Sequence, residues 1–225
     1  MGLIKNLTAE EITDQVLYFK VHDQFKGHIT FMGMGEPLLN PDNVFQAISI
    51  FTDKNYFGYS DRKISLSTVG IIPEIKHLTA RFPQINLAFS LHSPFDDQRS
   101  ELMPVNKLYP LKQVMVELTQ HLQLTKRKIF IAYLLLKDIN DSTDHAQALV
   151  KLIKSQGTLN YLYHVNLIQF HNYKEKFEFT RSSPEKLLAF GQILTDHHVH
   201  FTIRKSFGED IQAACGQLCA KMGLP

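Results

Sequence analysis

Short runs of β-branched and aromatic residues alternate with helical patterns along the chain, and this alternation limits the possible folds more than any other feature. His28–Met32, Lys63–Ser67, Asn86–Ser90, Lys128–Leu136, His164–Phe170 and His200–Ile203 read as strands. Thr8 followed by Glu11 is a capping-box pattern that opens a helix of about 14 residues. Asp42–Phe51 and Leu111–Leu122 carry apolar residues at helical spacing. Pro73 and Pro184 stand where a first helical turn tolerates proline, Ser142–Ile153 follows an Asn-Asp turn, and Ile211–Ala220 reads as a last short helix. Strands alternating with helices imply parallel pairing through right-handed crossovers. A closed eight-unit barrel takes about 250 residues. The expected class is therefore α/β, a partial (βα)6 barrel, with a doubly wound sheet as the alternative. No repeat or linker divides the chain, so residues 1–225 read as one domain.

The chain opens on a helix, with no strand before it. His28–Met32 is then an edge without its neighbour, as in a barrel whose first strand is missing. Apolar edges pair with other chains, so aggregation and a poorly cooperative melt are expected. Composition excludes several classes. At 44% hydrophobic and 20% charged the chain is not disordered, and 225 residues bury a core without disulfides. Its cysteines are Cys215 and Cys219, too few for a disulfide scaffold or a four-thiolate metal site. Reduced thiols point to the cytoplasm. The longest apolar run, Ile129–Leu136, is far below the roughly 20 residues of a membrane span. The N-terminus is no signal peptide, and Asn6 stands where myristoylation wants Ser or Thr. A formal net charge of +2 permits nucleic-acid binding without arguing for it. Lys107–Lys137 holds six basic residues and one acidic, with Lys126-Arg127-Lys128 in its middle, and reads either as a solvated loop or as a phosphate contact patch.

Familiar chemical motifs fail on inspection. Gly33-Met34-Gly35 is no dinucleotide fingerprint, because Leu38 stands where the third glycine belongs. Asp138-Ile139-Asn140 starts like a calcium loop, but Thr143 replaces its glycine. His197-His198-Val199-His200 has no carboxylate or thiol at ligand spacing. More telling is position. Polar clusters follow four strands: Gly33–Glu36, Ser67–Gly70, Ser90–His92 and His171-Asn172. Sites in parallel α/β folds form at the carboxyl ends of strands, so these clusters should converge. Each alone reads as a turn, a cap or a satisfied histidine. Together their glycines permit close approach, Glu36 suits an ammonium, and Ser67 and Ser90 suit a carboxylate or ribose hydroxyls. That set fits an amino acid joined to a nucleoside, such as S-adenosylmethionine. Cys215, between Ala214 and Gly216, reads either as a buried inert thiol or as a nucleophile.

Phe31–Pro37, Ser67–Gly70, Phe89–Pro94, Arg99–Pro104 and Ala213–Leu218 resemble the Cfr/RlmN family. These radical S-adenosylmethionine enzymes methylate an adenine of 23S ribosomal RNA. The resemblance runs from Lys5 to Leu218. It implies that Cys215 carries the methyl group to the base. Gly35 and Glu36 match the part holding the methionine amine. Ser67, the Ser90-Leu91-His92 group and, one residue out of step, Asn172 match further cofactor contacts. The family's second cofactor is a [4Fe-4S] cluster held by C-x3-C-x2-C, a motif this sequence lacks, as it lacks the family's accessory domain and second catalytic cysteine. The resemblance thus implies a fragment, inactive alone and monomeric, or a non-catalytic remnant that holds S-adenosylmethionine or RNA. Tyr163–Ile168 and Ser67–Pro73 lean toward Cfr and carbon 8 of adenine. Gly35–Asn40 reads more like RlmN, for which carbon 2 and also transfer RNA are implied. The balance favours a Cfr-like member. An unrelated α/β enzyme using Cys215 beside His92 is the outlying alternative.

Overall fold

The computed structural model describes residues 4–170 and 179–204. Six strands, β1 (Ile29–Phe31), β2 (Ile64–Thr68), β3 (Asn86–Ser90), β4 (Ile129–Leu135), β5 (Tyr163–Gln169) and β6 (Phe201–Arg204), form one sheet in chain order. Every neighbouring pair is parallel. Helix α1 (Ala9–Val21) precedes β1. Helices α2 (Pro41–Thr52), α3 (Ile72–Arg81), α5 (Leu111–Thr125), α6 (Thr143–Lys154) and α7 (Pro184–Asp196) each cross between successive strands. Helix α4 (Asp96–Leu102) is an addition before α5. Its seven residues are mostly polar, so apolar periodicity gives no sign of it.

A doubly wound sheet reverses its strand order in the middle, which puts helices on both faces. Here the order never reverses. Crossovers of one hand then leave the crossing helices on one face and, among the described residues, the other face open. The partial-barrel reading holds, and the sheet is not closed.

Alternation within the strands distinguishes the two faces. β2 buries Ile64, Leu66 and Thr68, and β4 buries Ile129, Ile131, Tyr133 and Leu135. The apolar ones belong to one core with Ile48 and Phe51 of α2, Ile75 and Leu78 of α3, and Val114 and Leu118 of α5. Burying each such side chain is worth about 1.5–3 kcal/mol. The intervening residues, Ser65 and Ser67 on β2 and Phe130, Ala132 and Leu134 on β4, are only half-buried and point to the open face.

Hydroxyl caps start three of the helices. Thr8 and Glu11 form a complete capping box on α1. Ser142 accepts from His145 N at α6, and Ser183 from Lys186 N at α7. Among the described residues β1 pairs with β2 alone. It is three residues long rather than five, and Ile29 is buried while Thr30 is exposed. A short edge with a polar open side is a weaker template for another chain than the expected apolar one. Among the described residues, no helix is long and apolar enough to cross a membrane.

Candidate functional site

The loops that follow β1, β2, β3 and β4 share the carboxyl rim of the sheet. In the first, Gly35 takes φ +83°, a conformation that favours glycine, and a Cβ there would meet nothing within 4 Å. The turn brings Glu36 into an extended backbone, where its carboxylate caps the one-turn helix Pro37–Leu39. One oxygen accepts from Leu38 N at 3.0 Å. The other accepts from Val69 N at 2.8 Å, in the loop after β2. Glu36 therefore ties two rim loops together. Burial pushes its carboxyl above the ordinary range, against the opposing pull of the Val69 and Leu38 amides and the Thr68 hydroxyl. A carboxylate has about four lone-pair sites, so two amides leave room for a cation.

Ser67 and Ser90 end adjacent strands on the open face, and their hydroxyl oxygens lie 3.4 Å apart. Leu91 is fully buried; its N–H donates to Ala132 O at 3.0 Å, and its carbonyl accepts from Arg99 Nε at 3.2 Å. His92 takes φ +57°. Leu134 N donates to His92 Nδ1 at 3.0 Å, which puts the proton of the neutral ring on Nε2. Burial, with Arg99 adding to it, pushes the imidazole down to about 4, so the ring is neutral at physiological pH. Asn172, with His171 beside it, Cys215 and Cys219 lie outside the described residues.

Two supports of this rim are not legible as such in the sequence. Arg99 of α4 is fully buried. It donates to Val69 O at 2.7 Å, to Ser90 O and Leu91 O at 3.2 Å each, and to Asn106 Oδ1, and it lies 5.0 Å over the Phe89 ring. One guanidinium thus clasps the loops after β2 and β3. Asn140, also buried, does the same for the third and fourth loops: its amide nitrogen donates to His92 O at 2.6 Å and Leu134 O at 2.8 Å, and its oxygen accepts from Leu136 N at 2.7 Å. A lone Arg or Asn in a polar loop looks like any surface residue until the loops are placed together.

The carboxylates of the calcium-like segment are already engaged. Lys186 Nζ reaches Asp138 at 2.6 Å and Asp141 at 3.1 Å, and Ser182 donates to Asp141 at 2.6 Å. Among the described residues no group of three His, Cys, Asp or Glu is arranged to hold a metal. The basic stretch Lys107–Lys137 is not one patch. Lys107 ends a one-turn helix before α5, and Lys137 follows β4, both toward the carboxyl rim. Lys126, Arg127 and Lys128 lead into the amino end of β4, roughly 20 Å away along the strand.

An open parallel half-barrel with helices on one side, and with an acidic and two hydroxyl side chains gathered at its carboxyl rim, defines a class. The profile of the radical SAM superfamily matches residues 1–153, and the chain belongs to that superfamily. Within it, the chain is 51% identical over 218 residues to the ribosomal RNA large subunit methyltransferase Cfr of Clostridium botulinum (strain Langeland), covering 97% of this chain and 63% of that protein. It is 50% identical over 226 residues to the Cfr of Staphylococcus aureus, covering 97% of this chain and 62% of that one. A radical SAM methyltransferase from Sphaerobacter thermophilus superposes with a TM-score of 0.87 at 37% identity, over 96% of this chain and 63% of that one. The chain thus spans under two thirds of the length of these relatives. SuiB of Streptococcus suis, solved with S-adenosylmethionine, has the same fold at a TM-score of 0.66 and 13% identity, over 91% of this chain and 45% of that one.

Proposed function

We propose that this chain is the barrel portion of a Cfr-like enzyme that methylates carbon 8 of an adenine in 23S ribosomal RNA, working as a monomer in the cytoplasm. The observation that carries the reading is the gathering of Glu36, Ser67 and Ser90 at one rim in a chain half identical to Cfr over nearly its whole length. S-adenosylmethionine, held at this rim, would supply the methyl group and the radical chemistry that moves it. The rim fits this cofactor. Gly35 leaves space for close approach, and the Glu36 carboxylate, fixed by two amides, accepts from the methionine ammonium. The Ser67 and Ser90 hydroxyls share one long contact of 3.4 Å and keep further hydrogen-bonding capacity for carboxylate or ribose oxygens. His92 presents Nε2–H as a neutral donor, with Leu91 locking the loop behind it, and Asn172 adds a further contact. Cys215, flanked by Ala214 and Gly216, carries the methyl to the base.

The same residues do not fit the cluster. The 225 residues hold two cysteines, and a cluster bound by three draws its ligands from elsewhere. The chain alone is therefore proposed to bind S-adenosylmethionine weakly and to turn nothing over. Calorimetry of the chain with S-adenosylmethionine tests this. Binding in the millimolar range or tighter is expected, weakened about tenfold in Glu36→Gln, which exchanges a charge-assisted contact for a neutral one. No binding at several millimolar, or an unchanged affinity in Glu36→Gln, removes the cofactor half of the reading. Methylation of 23S ribosomal RNA by the chain alone removes the fragment half.

A further inference from the structure

We infer that the amino-terminal rim of the half-barrel, opposite the cofactor site, is a docking surface for the phosphate backbone of an RNA. The inference deepens the function proposed above and rests on its RNA substrate. The segments that lead into the six strands, residues 20–28, 53–63, 82–85, 126–128, 155–162 and 196–200, hold eight lysines and arginines against four aspartates and no glutamate. The chain as a whole is nearly balanced, at 24 against 22. One third of its cations thus sit in the strand lead-ins.

The fold places these cations side by side. Lys63 and His28 precede neighbouring strands, with Lys63 Nζ 3.4 Å from His28 Nε2. Arg62 donates to Gln84 Oε1 at 3.2 Å, and Arg127 donates to Asn86 Oδ1 at 2.5 Å. Asn86 in turn donates to the Arg62 carbonyl at 2.9 Å, which links the two arginine segments. Both guanidiniums are thus held by neutral amides, and among the described residues no carboxylate pairs with either. Lys128 continues the line just before β4; together with His200 it depresses the His164 imidazole on β5, which burial already lowers.

Aromatic side chains are interleaved with these charges. Phe25 and Tyr59, in the loops before β1 and β2, stack at 5.0 Å, and Lys20 lies 5.6 Å over Tyr59. Tyr56 in the same loop is 69% exposed. Phe25 and Tyr59 are packed on the core, so the exposed Tyr56 ring is the stacking face that these cations flank, a pairing that suits a nucleic-acid strand with its phosphates and bases. A lipid headgroup surface would take the same charges and the Tyr56 ring, and the choice of RNA rests on the ribosomal RNA substrate proposed above.

The test is anisotropy of a fluorescent RNA hairpin titrated with the full chain at several salt concentrations. Removing one cation that neutralises a phosphate reduces the slope of log affinity against log salt by about 0.7–0.9. Lys63→Gln with Lys128→Gln, both at exposed positions, is expected to lower that slope by about 1.4–1.8 while the melting temperature holds. Tyr56→Ala is expected to weaken binding about tenfold at an unchanged slope. Lys107→Gln with Lys137→Gln, on the carboxyl rim, is expected to change neither. A slope unaltered by the first pair, or lowered by the second instead, overturns the inference while leaving the cofactor reading untouched. So does a chain that binds phosphatidylserine vesicles through Lys63 and Lys128 but does not bind the RNA. Failure of the proposed function itself shows separately, in the calorimetry with S-adenosylmethionine.

Discussion

Replacing Arg99 with methionine removes a cation that four acceptors share. The side chain is buried, and its donors serve the carbonyls of Val69, Ser90 and Leu91 and the oxygen of Asn106. Hydrogen bonds to a charged group are worth about 1.5 kcal/mol or more each, so removing all four costs roughly 6 kcal/mol. Against this stands the relief of a buried charge. Burial, opposed by Asp96, pushes the guanidinium down to about 10, and that shift corresponds to roughly 3 kcal/mol. The net expected destabilisation is about 3 kcal/mol. It should appear as a lower urea midpoint at an unchanged m value. Arg99→Lys should do no better, because the charge stays buried while three donors replace five. Both variants should also loosen the Val69 and Leu91 loops and so weaken S-adenosylmethionine. A destabilisation below about 1 kcal/mol in the methionine variant would refute the reasoning, as would wild-type stability in the lysine variant.

Two further expectations concern pH and packing. His92 and His121 are each pushed down to about 4 by burial, against roughly 6.5 in the unfolded chain. Their neutral forms therefore stabilise the fold fully above about pH 6.5, and that stability is lost as pH falls toward 4, by about 3 kcal/mol for each ring. Urea midpoints measured from pH 7.5 down to 5 should fall accordingly, and His121→Phe should flatten the decline; a decline of unchanged steepness would exclude His121 as a source. Gly70→Ala should destabilise by about 2–4 kcal/mol, because its φ of +109° strains a side chain and the new Cβ would meet both Val114 methyls at 3.0 Å and Phe89 at 3.1 Å. Adding Val114→Ala should cost less in the Gly70→Ala background than in the wild type, since there it also relieves the Val114 collision and leaves the strain and the Phe89 contact; additive effects in thermal melts would count against the contact.

Much of the fold is legible in the sequence because the strands are rich in β-branched and aromatic residues and the helices between them carry apolar residues at helical spacing. β4 is foreseen as Lys128–Leu136 and forms over Ile129–Leu135. What periodicity leaves open is the choice between half-barrel and doubly wound sheet, since both show the same strand–helix alternation and only pairing order separates them. The site is half legible. The convergence of Ser67 and Ser90 follows from their positions at the ends of neighbouring parallel strands. Glu36 is foreseen as a group for a ligand, yet its contact with Val69 depends on a loop 33 residues away in sequence. Arg99 lies within the family-like segment Arg99–Pro104, but its burial becomes evident only once α4 is in place. The basic run before and after β4 misleads for a related reason, because a strand carries its two flanks to opposite ends of the molecule.

Strand order that follows chain order has a consequence for how the molecule comes apart. Each strand is held by its predecessor and its successor, so cooperativity passes along the sheet much as it does along a linear repeat array. The longest register, seven residues between β4 and β5, lies inside the array, and the three-residue register of β1 lies at its end. Amide hydrogens should therefore exchange in a gradient, fastest in β1 and slowest in β4 and β5. The Glu36 loop would then open before the Asn140 loop, and the side of the rim that grips the ammonium would be the first to let go.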